Sequence, residues 1–300
     1  AYDPRAPEAD ARFLQRICDE EKADLFISTY YTSPLTTPSI FMAYDMIPEV
    51  QNFDLNFWRW QLKHRGIRHA SSYVSISEST KNDLLHFFPQ ISPEKIKVIY
   101  CGVDPAYHPR PKSEVAALLA RLNINKPYFL MVNVTEIPYK NDIHAFRALQ
   151  RFPQAAGYDL LCTSSRPLPE NYTRLLPPGI TPIIAWLDDE DLSRAYTAAT
   201  ALIFPSQYEG FGLPVLEAMS CGCPVIASNH SSIPEVAADA ALYVSSTNPD
   251  DLAAALQKIT DPKIRAPLIQ RGLTRAKTFS WSKAAEQLKQ FLLATAAQKR

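Results

Sequence analysis

Three hundred residues, 46% hydrophobic and 21% charged, give a globular chain with room for two cores. With 31 basic side chains against 31 acidic ones there is no global positive field to draw it to nucleic acid, and no apolar run reaches the roughly eighteen residues of a membrane span. The five scattered cysteines (Cys18, Cys101, Cys162, Cys221, Cys223) fit no zinc spacing and read as core or helix-end thiols of a reducing, cytoplasmic compartment.

In chain order, residues 8–23 read as a helix with Phe13, Leu14 and Ile17 on one face, and 25–29 and 39–44 as short strands. Tyr44-Asp45-Met46-Ile47-Pro48-Glu49 closes the second strand. A helix over 55–70 carries Trp58, Trp60, Lys63, His64, Arg65, Arg68 and His69. Its cations read as a solvated or lipid-facing patch, and its tryptophans either anchor at an interface or pack on the core. A strand over 73–76 follows, then a helix over 78–88 capped by Ser77, and a strand over 96–100. Proline punctuation from Pro105 to Pro111 places a domain boundary there, between 1–108 and 109–300.

Beyond it, strands at 128–134, 159–163 and 181–185 alternate with helices at 113–122, 142–151, 169–176 and 188–199. Further on come a helix at 234–238, a strand at 241–244, and helices at 250–259, 263–277 and from Ser282. Asn248-Pro249-Asp250-Asp251 supplies cap, proline and acids in helix-start order. Such alternation implies parallel sheets covered by helices on both faces.

The stretch from Ala201 to Ser228 carries the most information. Ala201–Phe204 has the length and composition of a strand buried on both faces. A loop with Glu209, Gly210, Phe211, Gly212 and Leu213 leads into a helix that starts at Pro214, continues through Val215 to about Ser220 and stops at Gly222; Pro224–Ala227 resumes as a strand. The loop therefore lies at the carboxyl end of a parallel strand, where such sheets bind ligands. The helix start attracts anions such as a diphosphate, and the glycines admit close approach. Glu209 in the loop and Glu217 in the helix can line one pocket.

The residues EGFGLPVLEAMSCGCPVIAS, taken together, resemble the donor-site signature of retaining glycosyltransferases of family 4. Val98-Ile99-Tyr100-Cys101-Gly102-Val103-Asp104 and Ser75-Ile76-Ser77-Glu78 resemble two further segments of that family, in the same order. The resemblance implies a GT-B fold: two Rossmann-like α/β domains facing a cleft, each a doubly wound parallel sheet, with a last helix at about 282–297 crossing back to the first. It implies transfer of a mannose- or glucose-type hexose from a GDP- or UDP-sugar to a hydroxyl of a glycan, lipid-linked or small-molecule acceptor, as in polysaccharide or lipopolysaccharide synthesis.

Site roles follow from the same resemblance. Glu217 binds the ribose hydroxyls and Glu209 the donor sugar. The backbone from Gly210 to Val215, with Lys140, takes the diphosphate; Trp186 and Leu187 touch the base. Tyr44 and Asp45 fall where the family often has His-Asp facing the donor sugar. No prosthetic group and no metal are expected. Two departures stand out: Tyr44 replaces a histidine, and Thr135 or Glu136 stands where an arginine is implied, which weakens grip on a diphosphate.

Only about 105 residues precede the linker. The resemblance implies a first domain that opens with a strand and a glycine-rich loop, and no such opening is read here, so the expectation is a fragment, or a chain whose first half-domain was lost. A non-catalytic nucleotide-sugar-binding domain serving a partner subunit is the alternative, and a hydrolase or epimerase using Glu209 and Glu217 a more distant one. Peripheral membrane contact through 58–69 and an oligomer stay open.

Overall fold

The computed structural model describes residues 7–297. Its elements in chain order begin with α1 (Pro7–Glu20), β1 (Phe26–Ile27), β2 (Ser39–Ala43), α2 (Ile47–Val50), α3 (Trp58–His69), β3 (Ser72–Ser75), α4 (Glu78–Phe87) and β4 (Ile96–Val98). Then come α5 (Lys112–Arg121), β5 (Tyr128–Met131), α6 (Asp142–Leu149), β6 (Asp159–Thr163), α7 (Glu170–Thr173), β7 (Pro182–Ala185), α8 (Asp189–Ala198) and β8 (Ala201–Phe204). The chain finishes with α9 (Leu213–Ser220), β9 (Val225–Ser228), α10 (Ile233–Ala237), β10 (Ala241–Val244), α11 (Pro249–Ile259), α12 (Pro262–Ala276) and α13 (Trp281–Ala297).

Two compact units result, one running to Cys101 and resuming at Ser282, the other Gly102–Trp281. The division falls seven residues before the expected 108/109. Segment 102–111 is tied into the second unit: Tyr107 Oη donates to Asp189 at 2.8 Å, and the Arg110 N–H donates to Thr197 Oγ1 at 3.1 Å. Gly102 packs so close to Ser280 and Trp281 that a Cβ would overlap their backbone.

The first unit holds a four-stranded parallel sheet, β1-β2-β3-β4. Alternation along β2 buries Phe41 and Ala43 in a cluster with Ile67, Leu84 and Phe88, while Ile40 packs with Val74, Ile99 and residues of α13. Ser77 caps α4 as expected, its Oγ accepting the Thr80 N–H at 3.0 Å.

The second unit holds a six-stranded parallel sheet ordered β10-β9-β8-β5-β6-β7. The chain runs outward from β5 through β6 to β7, then returns to β8 and runs the other way through β9 to β10. That reversal makes the β5/β8 border a topological switch point, where loops leaving in opposite directions open a crevice at the strands' carboxyl ends. β5, β6, β8 and β9 are buried along their whole length, as strands covered on both faces require. β5 stops at Met131, earlier than expected, and Asn133 takes a left-handed φ of 52°.

Candidate donor-binding site

Two loops flank the switch point. The loop after β8 reaches α9 through Gly212, whose φ of 102° lies in a region that L side chains rarely adopt. Pro214 is the second helical residue, one place later than expected. Gly222, with φ 72°, follows α9, and the Cys223 N–H returns to Ala218 O at 2.9 Å. The Val215 and Leu216 amides already donate to Gly212 O, so Val215 N–H, expected to be open to an anion, is engaged within the helix's tight first turn.

The two loops are stitched together. Gln207 N–H donates to Tyr139 O at 2.7 Å, Ser206 Oγ to the same carbonyl at 3.3 Å, and Asn141 Nδ2 to Pro205 O and Ser246 O. Glu209 is clamped through its main chain, its N–H donating to Ser231 Oγ and its carbonyl accepting from Ser232 Oγ, both at 2.9 Å. In consequence Lys140 Nζ meets both Glu209 carboxylate oxygens, at 2.8 and 3.0 Å. The structure thus brings together the two residues read as diphosphate and sugar contacts. Lys140, Asp142, Asn133, Ser206 and Pro214 line a small cavity of about 30 Å³ here. A broader open groove of about 630 Å³ lies beside it, lined by Gln207, Asn229, His230, Tyr243 and Asp251 among others.

Glu217 faces a different set. Tyr196 Oη of α8, itself buried, donates to Glu217 Oε2 at 3.0 Å. Tyr107 packs edge-on against Tyr196, centroids 6.1 Å apart. Burial pushes the Glu217 carboxyl up to about 7, against the pull of the Tyr196 hydroxyl and with Asp189 adding to the rise. A carboxyl raised in the folded state destabilises once the unfolded chain would ionise: between about pH 4.5 and 7 the folded chain keeps a proton that the unfolded chain has lost. Glu217→Gln keeps an acceptor for Tyr196 and removes the buried charge. Thermal denaturation should show the variant more stable than wild type by about 3 kcal/mol at pH 8 and level with it at pH 4.5. Equal stability at both pH values would contradict this.

The remaining expected residues are placed as follows. Trp186, 75% exposed, and Leu187 follow β7 at the sheet's edge. Gly210 and Phe211 are buried in the loop, and Leu213 is exposed. In the first unit, Tyr44 is exposed at the carboxyl end of β2, and Asp45 Oδ1 accepts the Ile47 N–H at 2.9 Å in the turn that leads into α2.

The patch expected on 58–69 is corrected. Lys63 is fully buried and bonds Glu49 Oε2 at 2.7 Å; His64 Nε2 lies 2.8 Å from Glu49 Oε1, and His69 Nε2 lies 3.0 Å from Thr37 O. Leu62, Lys63, Gly66 and Ile67 form the helix's inward face, so three of its cationic or imidazole groups are spent internally. Trp58 and Trp60 cluster with Phe53 and Phe57.

Sequence reasoning missed Tyr196, the serines holding Glu209, and Asp142. It also passed over one Asp-x-Asp spacing, Asp189-Glu190-Asp191. That run opens α8, where Asp189 accepts from Tyr107 and Asp191 is held by Arg121 and Arg194. Among the described residues no cluster of three or more His, Cys, Asp or Glu could hold a metal ion.

Two Rossmann-like parallel α/β units, with loops of this composition at the switch point of the second, define a GT-B glycosyltransferase fold. The chain matches the families described as "Glycosyltransferase Family 4" over residues 2–107 and "Glycosyl transferases group 1" over residues 181–275, and it belongs to this glycosyltransferase family. It is similar to O-antigen chain mannosyltransferase B of Escherichia coli, 32% identical over 236 residues, covering 75% of this chain and 61% of that protein. It is also similar to MMP alpha-(1->4)-mannosyltransferase of Mycolicibacterium hassiacum, 29% identical over 243 residues, covering 76% and 56%. The chain thus spans about six-tenths of the length of these curated relatives. HepE of Anabaena, solved in complex with UDP-glucose, shares the fold at a TM-score of 0.76 and 17% identity, covering 95% of this chain and 82% of that one.

Proposed function

We propose that the chain is a retaining hexosyltransferase that moves a hexose, mannose or glucose, from a nucleotide diphosphate sugar to an acceptor hydroxyl. The observation that carries this reading is the pairing of Lys140 with Glu209 at the switch point, beside α9 with its half-buried Glu217. The mannosyltransferase relatives and the UDP-glucose complex of HepE support it.

In this reading the donor diphosphate displaces part of the Lys140–Glu209 pair. Lys140 and the backbone amides ahead of Val215 take the phosphates, while Glu209 turns to the sugar hydroxyls and Glu217 accepts from the ribose hydroxyls. The base lies against Trp186 and Leu187. The C1–O bond to the diphosphate breaks as the acceptor oxygen bonds C1 on the same face, and the acceptor proton passes to the departing phosphate. Fixed positive groups at that phosphate favour the transition state, where its charge grows. We assign Tyr44 and Asp45 to the sugar side of the reaction. For a lipid-linked acceptor, the exposed Phe53, Leu55 and Phe57 with Arg59 supply a membrane-facing edge. No described helix is long and apolar enough to cross a membrane.

The test is incubation with GDP-mannose and UDP-glucose plus candidate glycan and polyprenyl acceptors, with NMR of the product's anomeric proton. Transfer with retained α configuration supports the reading. Inverted product or release of free sugar alone contradicts it. Thr135 and Glu136, in the place of an arginine, favour a second reading, a nucleotide-sugar binder without turnover; binding without any product would decide for it.

A further inference from the structure

We propose that Asp142 governs how tightly the donor site holds a sugar diphosphate, and that binding draws one proton from solvent onto this carboxyl. The inference rests on the donor-site reading above but concerns a residue that reading does not use.

Asp142 opens α6, two residues after Lys140. An acid in a first helical turn ordinarily points to water, where it complements the helix dipole. Here the side chain turns inward and is only 6% exposed. Its Oδ2 accepts the Thr135 N–H at 2.8 Å, so it holds the loop at the position where the resemblance implies an arginine. It lines the same small cavity as Lys140 and Pro214.

The charge count at the switch point is therefore adverse to an anion. Lys140 is the cation bonded there, and both of its short bonds go to Glu209. Asp142 is bonded to an amide rather than to a cation. A diphosphate brings two more negative charges into a region where partial burial keeps repulsion strong. Glu209 can swing toward the sugar, but Asp142 is fixed by the loop it supports. The economical route is to neutralise it.

The surroundings agree. Burial pushes the Asp142 carboxyl up to about 7, against the Thr135 N–H and Lys140, with Glu209 adding to the rise. The other titratable groups facing it are Cys162 of β6 and Tyr172 of α7, both pushed upward chiefly by burial and hence neutral through this range. Glu136, on the same loop, is exposed. Protonated Asp142 still offers a carbonyl oxygen to Thr135 N–H, so the loop keeps its support while the charge is lost.

Asp142→Asn imitates that state. Calorimetric titration of wild type and variant with GDP-mannose and with UDP-glucose, at pH 6, 7 and 8, reads the effect; their diester diphosphates do not titrate in this range. The ratio of wild-type to variant Kd should rise from near one at pH 6 to about tenfold at pH 8. Glu217 titrates in both proteins and cancels in the ratio. The proton uptake at pH 8, read from the dependence of binding enthalpy on buffer ionisation enthalpy, should be greater by about one proton in wild type than in the variant. A ratio fixed at one with equal uptake in the two proteins overturns the inference and leaves the donor site standing. Weaker binding by the variant at every pH, again with equal uptake, makes Asp142 a loop strut only. If neither sugar nucleotide binds either protein, the donor-site reading and this inference fall together.

Discussion

Lys63→Ala should lower the stability of the first unit by about 3–5 kcal/mol. Lys63 and Glu49 are each about 1% exposed at the side chain and sit 2.7 Å apart. Burial alone would push the Glu49 carboxyl up, yet the His64 hydrogen bond and the Lys63 charge outweigh it and hold the carboxyl below its ordinary range. Removing the lysine leaves a buried carboxylate with His64 as its remaining basic partner, and uncompensated charge in a core is among the costliest single changes. It also removes the cation 3.9 Å from Asp45, the residue assigned to the sugar side of the reaction. The double variant Lys63→Met/Glu49→Leu, which fills the space with apolar atoms, should recover most of the loss. Urea denaturation of the three proteins checks both statements; a Lys63→Ala cost below about 1 kcal/mol would mean that the pair is solvated in solution.

Lys140→Met should reduce turnover about a hundredfold or more, while lowering melting temperature far less than Lys63→Ala does. In the proposed reaction Lys140 supplies the side-chain cation where charge grows on the departing phosphate, and the loop offers no arginine to replace it. Its side chain is partly exposed, so the fold loses little when it goes. Steady-state kinetics at saturating donor separates this from a binding defect. Turnover within threefold of wild type would remove Lys140 from the transition state.

Much of this was legible before any coordinates. The strand–loop–helix–strand order of 201–228 followed from an apolar run, glycines at defined points and Pro214, and the structure has those elements within a residue or so of the expected ends. Short-range chemistry was legible in the same way: Ser77 and Asn248 each cap the helix read from them. What sequence could not supply was direction. Asp142 looks like an ordinary first-turn acid, and only the chain's path back to Thr135 shows that it faces inward. Lys63 and His64 look like surface cations because nothing local records that Glu49, fourteen residues earlier, waits in the core. Tyr196 and Glu217 are 21 residues apart and meet because α8 and α9 pack together, a consequence of the switch in strand order.

The central claim is that the second unit binds a nucleotide sugar through Glu217 and the Lys140–Glu209 loop pair. Isothermal titration of wild type and Glu217→Ala with GDP-mannose and UDP-glucose, at pH 7, tests it most directly. We expect one of the two donors to bind wild type at micromolar concentration and to lose about a hundredfold in affinity, roughly 2.7 kcal/mol, in the variant. No binding of either donor to wild type, or equal binding by the variant, would contradict the claim while leaving the fold as described.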